Sequence, residues 1–295
     1  GVLSDAGFAD KTGAGTLVLS GANTHGGTDI QAGAVTASND AALGAGAASM
    51  ATGTTLTIVD TFTIGNAIAL ATGNEILSVA SGVGTLSGIL SGAGFAQKTA
   101  TGTLILSGAN THGGTDIQAG QVTASHSTAL GAGAASIADT ATLGLTTGVN
   151  VANAIALAAG NETLTIASGS AELSGVLSGA GFANKTGAGT VLLSGANTHG
   201  GTAIAAGSVT LGHNTGLGAG ASSMAASTTL TLNDTISAGN AIALAAGTET
   251  VSVATGNSGT LSGVLSGAGF ALKTGAGVLA LSGANTHGGT DIQAG

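Results

Sequence analysis

Five residue types are absent from this chain of 295 residues: proline, cysteine, tryptophan, tyrosine and arginine. Without cysteine the chain can form no disulfide and no thiolate metal site. With four lysines and no arginine it lacks the clustered cations that neutralise phosphates, so we exclude a nucleic-acid surface. Its only aromatic residues are five phenylalanines, whereas bulky side chains dominate ordinary globular cores. The fold therefore needs a narrow interior filled by small aliphatic residues.

Small residues are abundant instead, with 55 glycines, and 43% of the chain is hydrophobic. That hydrophobic content argues against a polar disordered chain. No run of 18 apolar residues is present, so we expect no membrane span in this stretch. The net charge is −9, from four basic and 13 acidic side chains. A sparsely charged, mildly acidic surface suits a secreted, extracellular protein.

An internal repeat is the strongest signal. The segment SGANTHGG occurs four times at intervals of 87 or 88 residues, and all four lysines and four of the phenylalanines follow the same offsets. The repeat units span residues 8–94, 95–181, 182–269 and, as a partial copy, 270–295. The chain begins and ends inside a unit, so we interpret residues 1–295 as one continuous solenoid cut from a longer array.

Each unit divides again into short runs that alternate aliphatic and small polar residues, which is the pattern of a β-strand. Glycine-rich and asparagine-rich pieces between them supply turns. Equivalent runs start 18 to 27 residues apart, at Leu17, Val35, Leu56, Leu77 and Leu104. These spacings predict an all-β parallel β-helix, a β-solenoid with about four coils per unit and an insertion in the longest coil. A helix over Asn66–Asn74 is the alternative, and the glycine and threonine content weighs against it.

The stretch KTGAGTLVLSGANTHGGTDIQAGAV, which starts at Lys11, resembles the autotransporter-associated β-strand repeat, or passenger-associated transport repeat, of bacterial type V secretion. It recurs at Lys98, Lys185 and Lys273. His25 stands where the family pattern has tyrosine. The resemblance implies a fibrous passenger structure at the cell surface. The matching positions of the first copy are Lys11, Gly13, Gly15, Thr16, Leu17, Leu19, Ser20, Gly21, Asn23, Thr24, Gly26, Gly27, Thr28, Ile30 and Gly33.

Two sets of repeated residues suggest structural roles. Four asparagines are expected to form turns in which the side chain bonds nearby backbone. Four phenylalanines are expected to lie in a loop and to pack over the edge of a coil. The asparagines are Asn23, Asn110, Asn197 and Asn285, and the phenylalanines are Phe8, Phe95, Phe182 and Phe270.

Three glutamates precede lysines by 23 or 24 residues, which is about one coil. We predict that each pair bridges adjacent coils on the outer surface, where an ion pair contributes at most about 1 kcal/mol. A rival partner for each lysine is the aspartate eighteen residues further on, as for Lys11 and Asp29. The predicted pairs are Glu75 with Lys98, Glu162 with Lys185, and Glu249 with Lys273.

Three apparent binding motifs fail on inspection. The run Gly92–Thr99 imitates a phosphate-binding loop, but Gln97 replaces the required glycine and a strand follows. The histidines recur once per unit, too far apart to share a zinc ion. The nonapeptide of calcium-binding β-rolls is absent, and Ala203 replaces the aspartate of the other units. We therefore predict no metal site, no cofactor and no small-molecule substrate.

Catalysis on a β-helix needs clustered carboxylates and cations that break the repeat symmetry, and none is visible, so we expect no enzyme. The preferred function is a structural stalk or adhesive fibre in a large autotransporter-like surface protein. The alternative is a subunit of a self-associating extracellular filament or matrix, because few charges oppose lateral packing. A minor alternative is an ice-binding solenoid, suggested by Thr55/Thr57, Thr163/Thr165 and Thr229/Thr231. Expected partners are other copies of the chain or cell-surface and matrix components.

Overall fold

The computed structural model describes every residue from Gly1 to Gly295 and consists of short strands joined by turns, without a helix. The chain divides into two compact units, Gly1–Gly144 and Leu145–Gly295. Each is a β-solenoid of parallel strands, which confirms the predicted fold class. One continuous solenoid over the whole chain remains a prediction. The alternative helix over Asn66–Asn74 is wrong, because strand Ile68–Leu70 lies within it. With no helix present, no segment could serve as a helical membrane span.

The first unit contains sixteen complete strands and most of a seventeenth. Their bounds are β1 Phe8–Lys11, β2 Thr16–Leu19, β3 Gly27–Ile30, β4 Ala34–Ala37, β5 Ala48–Met50, β6 Thr55–Ile58, β7 Thr63–Ile64, β8 Ile68–Leu70, β9 Asn74–Ser78, β10 Val83–Leu86, β11 Leu90–Gly92, β12 Phe95–Thr99, β13 Thr103–Leu106, β14 Gly114–Ile117, β15 Gln121–Ala124, β16 Ala135–Ile137 and β17 Thr142–Leu145.

The second unit contains the remaining strands. Their bounds are β18 Asn150–Val151, β19 Ile155–Leu157, β20 Asn161–Thr165, β21 Ser170–Leu173, β22 Leu177–Gly179, β23 Phe182–Thr186, β24 Thr190–Leu193, β25 Gly201–Ile204, β26 Ser208–Leu211, β27 Ser222–Met224, β28 Thr229–Leu232, β29 Thr235–Ala238, β30 Ile242–Leu244, β31 Thr248–Val253, β32 Ser258–Leu261, β33 Leu265–Gly267, β34 Phe270–Thr274, β35 Val278–Leu281 and β36 Gly289–Ile292.

Successive coils stack strand upon strand. In the first unit the strand orders are β1-β3-β5-β8-β11, β2-β4-β6-β9-β12-β14-β16 and β7-β10-β13-β15. In the second unit they are β19-β22, β20-β23-β25-β27-β30-β33, β18-β21-β24-β26-β28-β31-β34-β36 and β29-β32-β35. Every pairing described between these strands is parallel, which is the arrangement that the stacked coils of a solenoid require. Each coil therefore contributes one strand to each of two or three sheets.

The core is a set of aliphatic ladders. Paired residues are 18 residues apart at the shortest spacing, Thr16 with Ala34, and 23 at the longest, Ile242 with Leu265. Parallel neighbours at about 4.8 Å bring equivalent side chains into van der Waals contact. One inward column of the first unit runs Val35, Leu56, Leu77, and all three are fully buried. Burial of such columns supplies most of the stabilisation, since each aliphatic side chain contributes roughly 1.5–3 kcal/mol.

Each sequence repeat is four coils and one additional strand long. From Phe8 in β1 the chain makes four turns of the solenoid and adds β3, β5, β8 and β11 to the first sheet. The next strand that begins with a phenylalanine, β12, belongs to the second sheet. In the second unit β23 and β33 are likewise four coils apart, and β34 lies in a different sheet. The expected insertion before Leu104 is therefore wrong. The extra residues there form β12, which pairs in full with β9.

Candidate functional site

The repeated asparagines tie three coils together. Oδ1 of Asn197 accepts a hydrogen bond from the amide of Leu177 at 2.8 Å, and its Nδ2 donates to the carbonyl of Gly216 at 2.8 Å. These partners lie about one coil before and one coil after the asparagine, not in the same turn as the sequence suggested. The same pair of bonds recurs at Asn23 and Asn110, and the amide bond recurs at Asn285. Because Asn197 is buried, its carboxamide replaces water that cannot reach these backbone groups.

The four lysines point into the solenoid. Nζ of Lys98 donates to the carbonyls of Thr99 and Ala100 in its own corner at 2.7 Å, and to Ala119 in the next coil at 3.1 Å. Lys98 lies in an aliphatic ladder between Leu77 and Ile117 and is fully buried. Its methylenes therefore extend the ladder while its ammonium joins two corners. Lys11, Lys185 and Lys273 bond carbonyls in the same pattern.

The expected ion pairs on the outer surface are wrong. Glu75, Glu162, Glu249, Lys98 and Lys185 are all fully buried, and Lys273 is nearly so. The cause is strand alternation, because Ala96 faces inward and Lys98, two residues on, must do the same. Glu75 and Lys98 do not form an ion pair inside the solenoid either. The lysine ammonium is bonded to carbonyls, and neither carboxylate oxygen of Glu75 has a hydrogen-bond partner. The rival pairing of Lys11 with Asp29 does not form either, since Asp29 accepts from Ser49 and Gln31.

Burial moves these groups towards their neutral forms. It raises the pKa of Glu75 to about 7 and that of Glu249 in the same direction. It lowers the pKa of Lys98 and of Lys185 to about 8. The common cause is removal of water from around the charge, which disfavours the ionised form.

The histidine of each NTHGG segment forms a short hydrogen-bonded chain. His112 Nε2 lies 3.0 Å from the hydroxyl of Thr115, which donates to the carbonyl of Leu130 at 3.1 Å. Since the hydroxyl has only one proton to give, Nε2 must carry the proton of the ring. The other nitrogen, Nδ1, is buried without a partner, and burial lowers the pKa of His112 to about 4. His25, His199 and His287 repeat the contact with the threonine three residues on.

The repeated phenylalanines lie at the start of strands, not in loops, and face outward. Phe95 pairs with Gly114 of the next coil, and a Cβ at that glycine would lie 2.6 Å from the ring. Gly114 also has a φ of 150°, which side-chain-bearing residues rarely adopt. The ring therefore packs over a glycine that has no room for a side chain. The four repeated phenylalanines are nevertheless 39 to 63% exposed, at Phe8, Phe95, Phe182 and Phe270.

The remaining motifs were rejected on sequence grounds, and their places in the fold are as follows. In the run Gly92–Thr99, Gly92 ends β11, residues 95–99 form β12, and Lys98 is bonded to carbonyls. No group of three or more histidine, aspartate or glutamate side chains is placed to hold a metal ion. His126 and His213 are surface residues that bond the threonine two residues later.

The ice-binding alternative needs two parallel columns of outward threonine side chains, and the second sheet of the first unit has only one column of outward hydroxyl groups. In the register of the second sheet, Thr36, Thr57, Ser78 and Thr99 are successive neighbours. The companion column is interrupted, since Thr55 stands between Ala34 and Ile76. The regular two-column threonine array of an ice-binding face is therefore absent from this sheet of the first unit.

Sequence reasoning missed the inward direction of the lysines and glutamates, although a signal was available. Each lysine is two residues from an alanine at an inward position, Ala96 for Lys98 and Ala183 for Lys185. Applying the two-residue alternation through these short strands would have placed both side chains in the core.

A family model described as passenger-associated-transport-repeat matches four segments of the chain, residues 10–37, 97–124, 184–211 and 272–295. Each segment begins beside the buried lysine and includes the asparagine and histidine just described. The matched sequence is thus the part of each repeat in which interior polar groups join neighbouring coils. No curated protein and no solved structure matches the chain.

Proposed function

Since the chain carries four copies of the passenger-associated-transport-repeat, we propose that it is a structural stalk within the passenger of an autotransporter-like protein, secreted or held at the cell surface. One observation supports this most strongly. Each repeat has an asparagine, a lysine and a histidine that could in principle bind a ligand. These side chains are instead hydrogen-bonded to the protein's own backbone or to a neighbouring threonine. Groups committed in this way set the stacking of coils and are not available to bind a substrate.

Small-angle X-ray scattering tests the stalk proposal on the chain itself. A compact globule of 295 residues has a radius of gyration of about 19 Å. A solenoid of about 14 coils that rise about 4.8 Å each is only about 65 Å long, so its overall radius of gyration also lies near about 20 Å. The distribution of interatomic distances separates the two shapes: a stalk should give a skewed distribution with a narrow cross-section and a maximum dimension above about 60 Å. A symmetric distribution with a maximum dimension near about 50 Å would rule out a stalk. Beads coated with the chain and challenged with matrix proteins distinguish a passive stalk, which leaves them unbound, from an adhesive one.

A self-associating filament is the second candidate, favoured by the exposed phenylalanine in every repeat. Exposed aromatic surface with few surrounding charges promotes lateral contact. Sedimentation velocity over a hundredfold concentration range measures this directly. Association that disappears in Phe95→Ser together with Phe182→Ser would support the filament. A single sedimenting species at all concentrations would leave the stalk as the function.

A further inference from the structure

Three glutamates occupy the same inward position of the repeat. Glu75 stands opposite Ala96 of the next coil, and Glu162 and Glu249 stand opposite Ala183 and Ala271. All three glutamates are fully buried. Their column otherwise holds small residues such as alanine and threonine, so an acid is the exceptional choice at this point of the ladder.

The carboxyl group of Glu75 lies against the backbone of the next coil. A Cβ placed on Gly94 would collide both with Oε2 of Glu75 and with the carbonyl oxygen of Ala71. Gly269 meets Glu249 and the carbonyl of Ala245 in the same way. The carboxyl group and a backbone carbonyl therefore converge on one glycine. A protonated acid can donate to that carbonyl, whereas two bare oxygens repel each other.

Little compensates an ionised carboxylate there. Neither oxygen of Glu75 or of Glu249 has a hydrogen-bond partner of good geometry, and the backbone amide of the same residue offsets only part of the effect of burial on its pKa. Among neighbouring elements, β12 brings Lys98, whose ammonium is already held by three carbonyls, and β6 and the rest of β9 bring no charged group. His112, two coils away, is bonded to Thr115. An unpaired buried charge is strongly unfavourable, so the site fits the neutral acid.

We propose that Glu75 and Glu249 are proton-dependent locks on coil stacking: the coils are held together when the carboxyl group is protonated against the glycine of the next coil, and they loosen when the proton leaves. The direction of the pH effect follows from burial, which raises the pKa of Glu75 to about 7 from the value of 4.5 for a free side chain. The stabilisation is complete below pH 4.5 and is lost as the pH rises through about 7. Over that interval the unfolding equilibrium constant rises by at most about 300-fold for one glutamate.

The test compares the wild-type chain with the double variant Glu75→Gln, Glu249→Gln in urea unfolding between pH 4.5 and 7.5. Glutamine keeps the shape and a donor but cannot ionise. Histidine and lysine contributions are common to both proteins, so the difference between them isolates the glutamates. We expect the wild type to lose stability relative to the variant as the pH rises. Glu172→Gln, which removes an outward carboxylate bonded to Ser194, is the matched control and should leave that loss unchanged. A difference that does not vary with pH overturns the proposal.

A second measurement needs no folded variant. The chain has only four glutamates, at positions 75, 162, 172 and 249. Carbon-13 labelling of their carboxyl carbons therefore gives four signals in the folded protein. The lock requires the Glu75 signal to titrate near neutral pH, with faster exchange of the Phe95 amide above that point. If every carboxyl signal titrates below about pH 5, the proposal is wrong.

Discussion

The side-chain oxygen of Asn197 accepts a hydrogen bond at 2.8 Å from the amide of Leu177, twenty residues earlier. Its side-chain nitrogen donates to the carbonyl of Gly216, nineteen residues later. One carboxamide thus completes the backbone bonding of three coils where the loop segments interrupt the regular ladder. The same relationship recurs in the other repeats and explains why this residue type stands at this position.

Asn197→Ala should destabilise the chain by about 2–5 kcal/mol, because it leaves one buried amide and one buried carbonyl unsatisfied. Urea unfolding followed by circular dichroism measures the loss. Asn214→Ala is the matched control, since its carboxamide accepts a single exposed bond from the amide of Ser237, and it should cost less than about 1 kcal/mol. Equal losses in the two variants would contradict the structural role.

Lys98→Met should cost about 2–4 kcal/mol. Methionine fills the ladder position between Leu77 and Ile117 but leaves three carbonyls without the ammonium that joins them. Gln97→Met, one residue away and outward, serves as control and should change stability by less than about 0.5 kcal/mol. If Lys98→Met proved more stable than the wild type, the ammonium would not be a tie between coils.

Ala100→Gly should stabilise the chain by about 0.5–1 kcal/mol. Ala100 has a φ of 62°, a left-handed conformation that costs a residue with a side chain about 1–2 kcal/mol. Glycine avoids this cost, but it loses more backbone entropy on folding, so only part of the 1–2 kcal/mol is gained (about 0.5–1 kcal/mol). The equivalent residues Gly187 and Gly275 have φ values of 76° and 72°. Thermal unfolding checks this, and Gly187→Ala should move the midpoint the opposite way. An unchanged or lower midpoint for Ala100→Gly would contradict the expected relief of strain.

Low pH should destabilise the folded chain through its buried histidines. Burial lowers the pKa of His112 and His199 to about 4, below the value of 6.5 for a free side chain. Their stabilisation is therefore complete above pH 6.5 and is lost as the pH falls towards 4, by up to about 3 kcal/mol for each histidine. The double variant His112→Gln, His199→Gln should lack this part of the acid sensitivity. His126→Gln, at an exposed histidine, should retain it.

The sequence was sufficient for the fold because its two periods are simple. Alternation within runs such as Thr55–Ile58 predicts strands, and the recurrence of SGANTHGG predicts stacked coils. It was not sufficient for the site, because polarity was taken as a sign of exposure. Lys98 and Glu75 are charged residues at inward positions, and their direction depends on the register of strands such as β12, which the sequence analysis treated as an insertion.

Amide hydrogen exchange at Leu177 tests the central claim most directly, namely that the repeated polar side chains join neighbouring coils. The only partner described for this amide is the side chain of Asn197. Slow exchange at Leu177 in the wild type is the predicted result. In Asn197→Ala, Leu177 should become fast-exchanging while Leu90, held by Asn110 in another repeat, stays slow. Fast exchange at Leu177 in the wild type, or no change in the variant, would contradict the account.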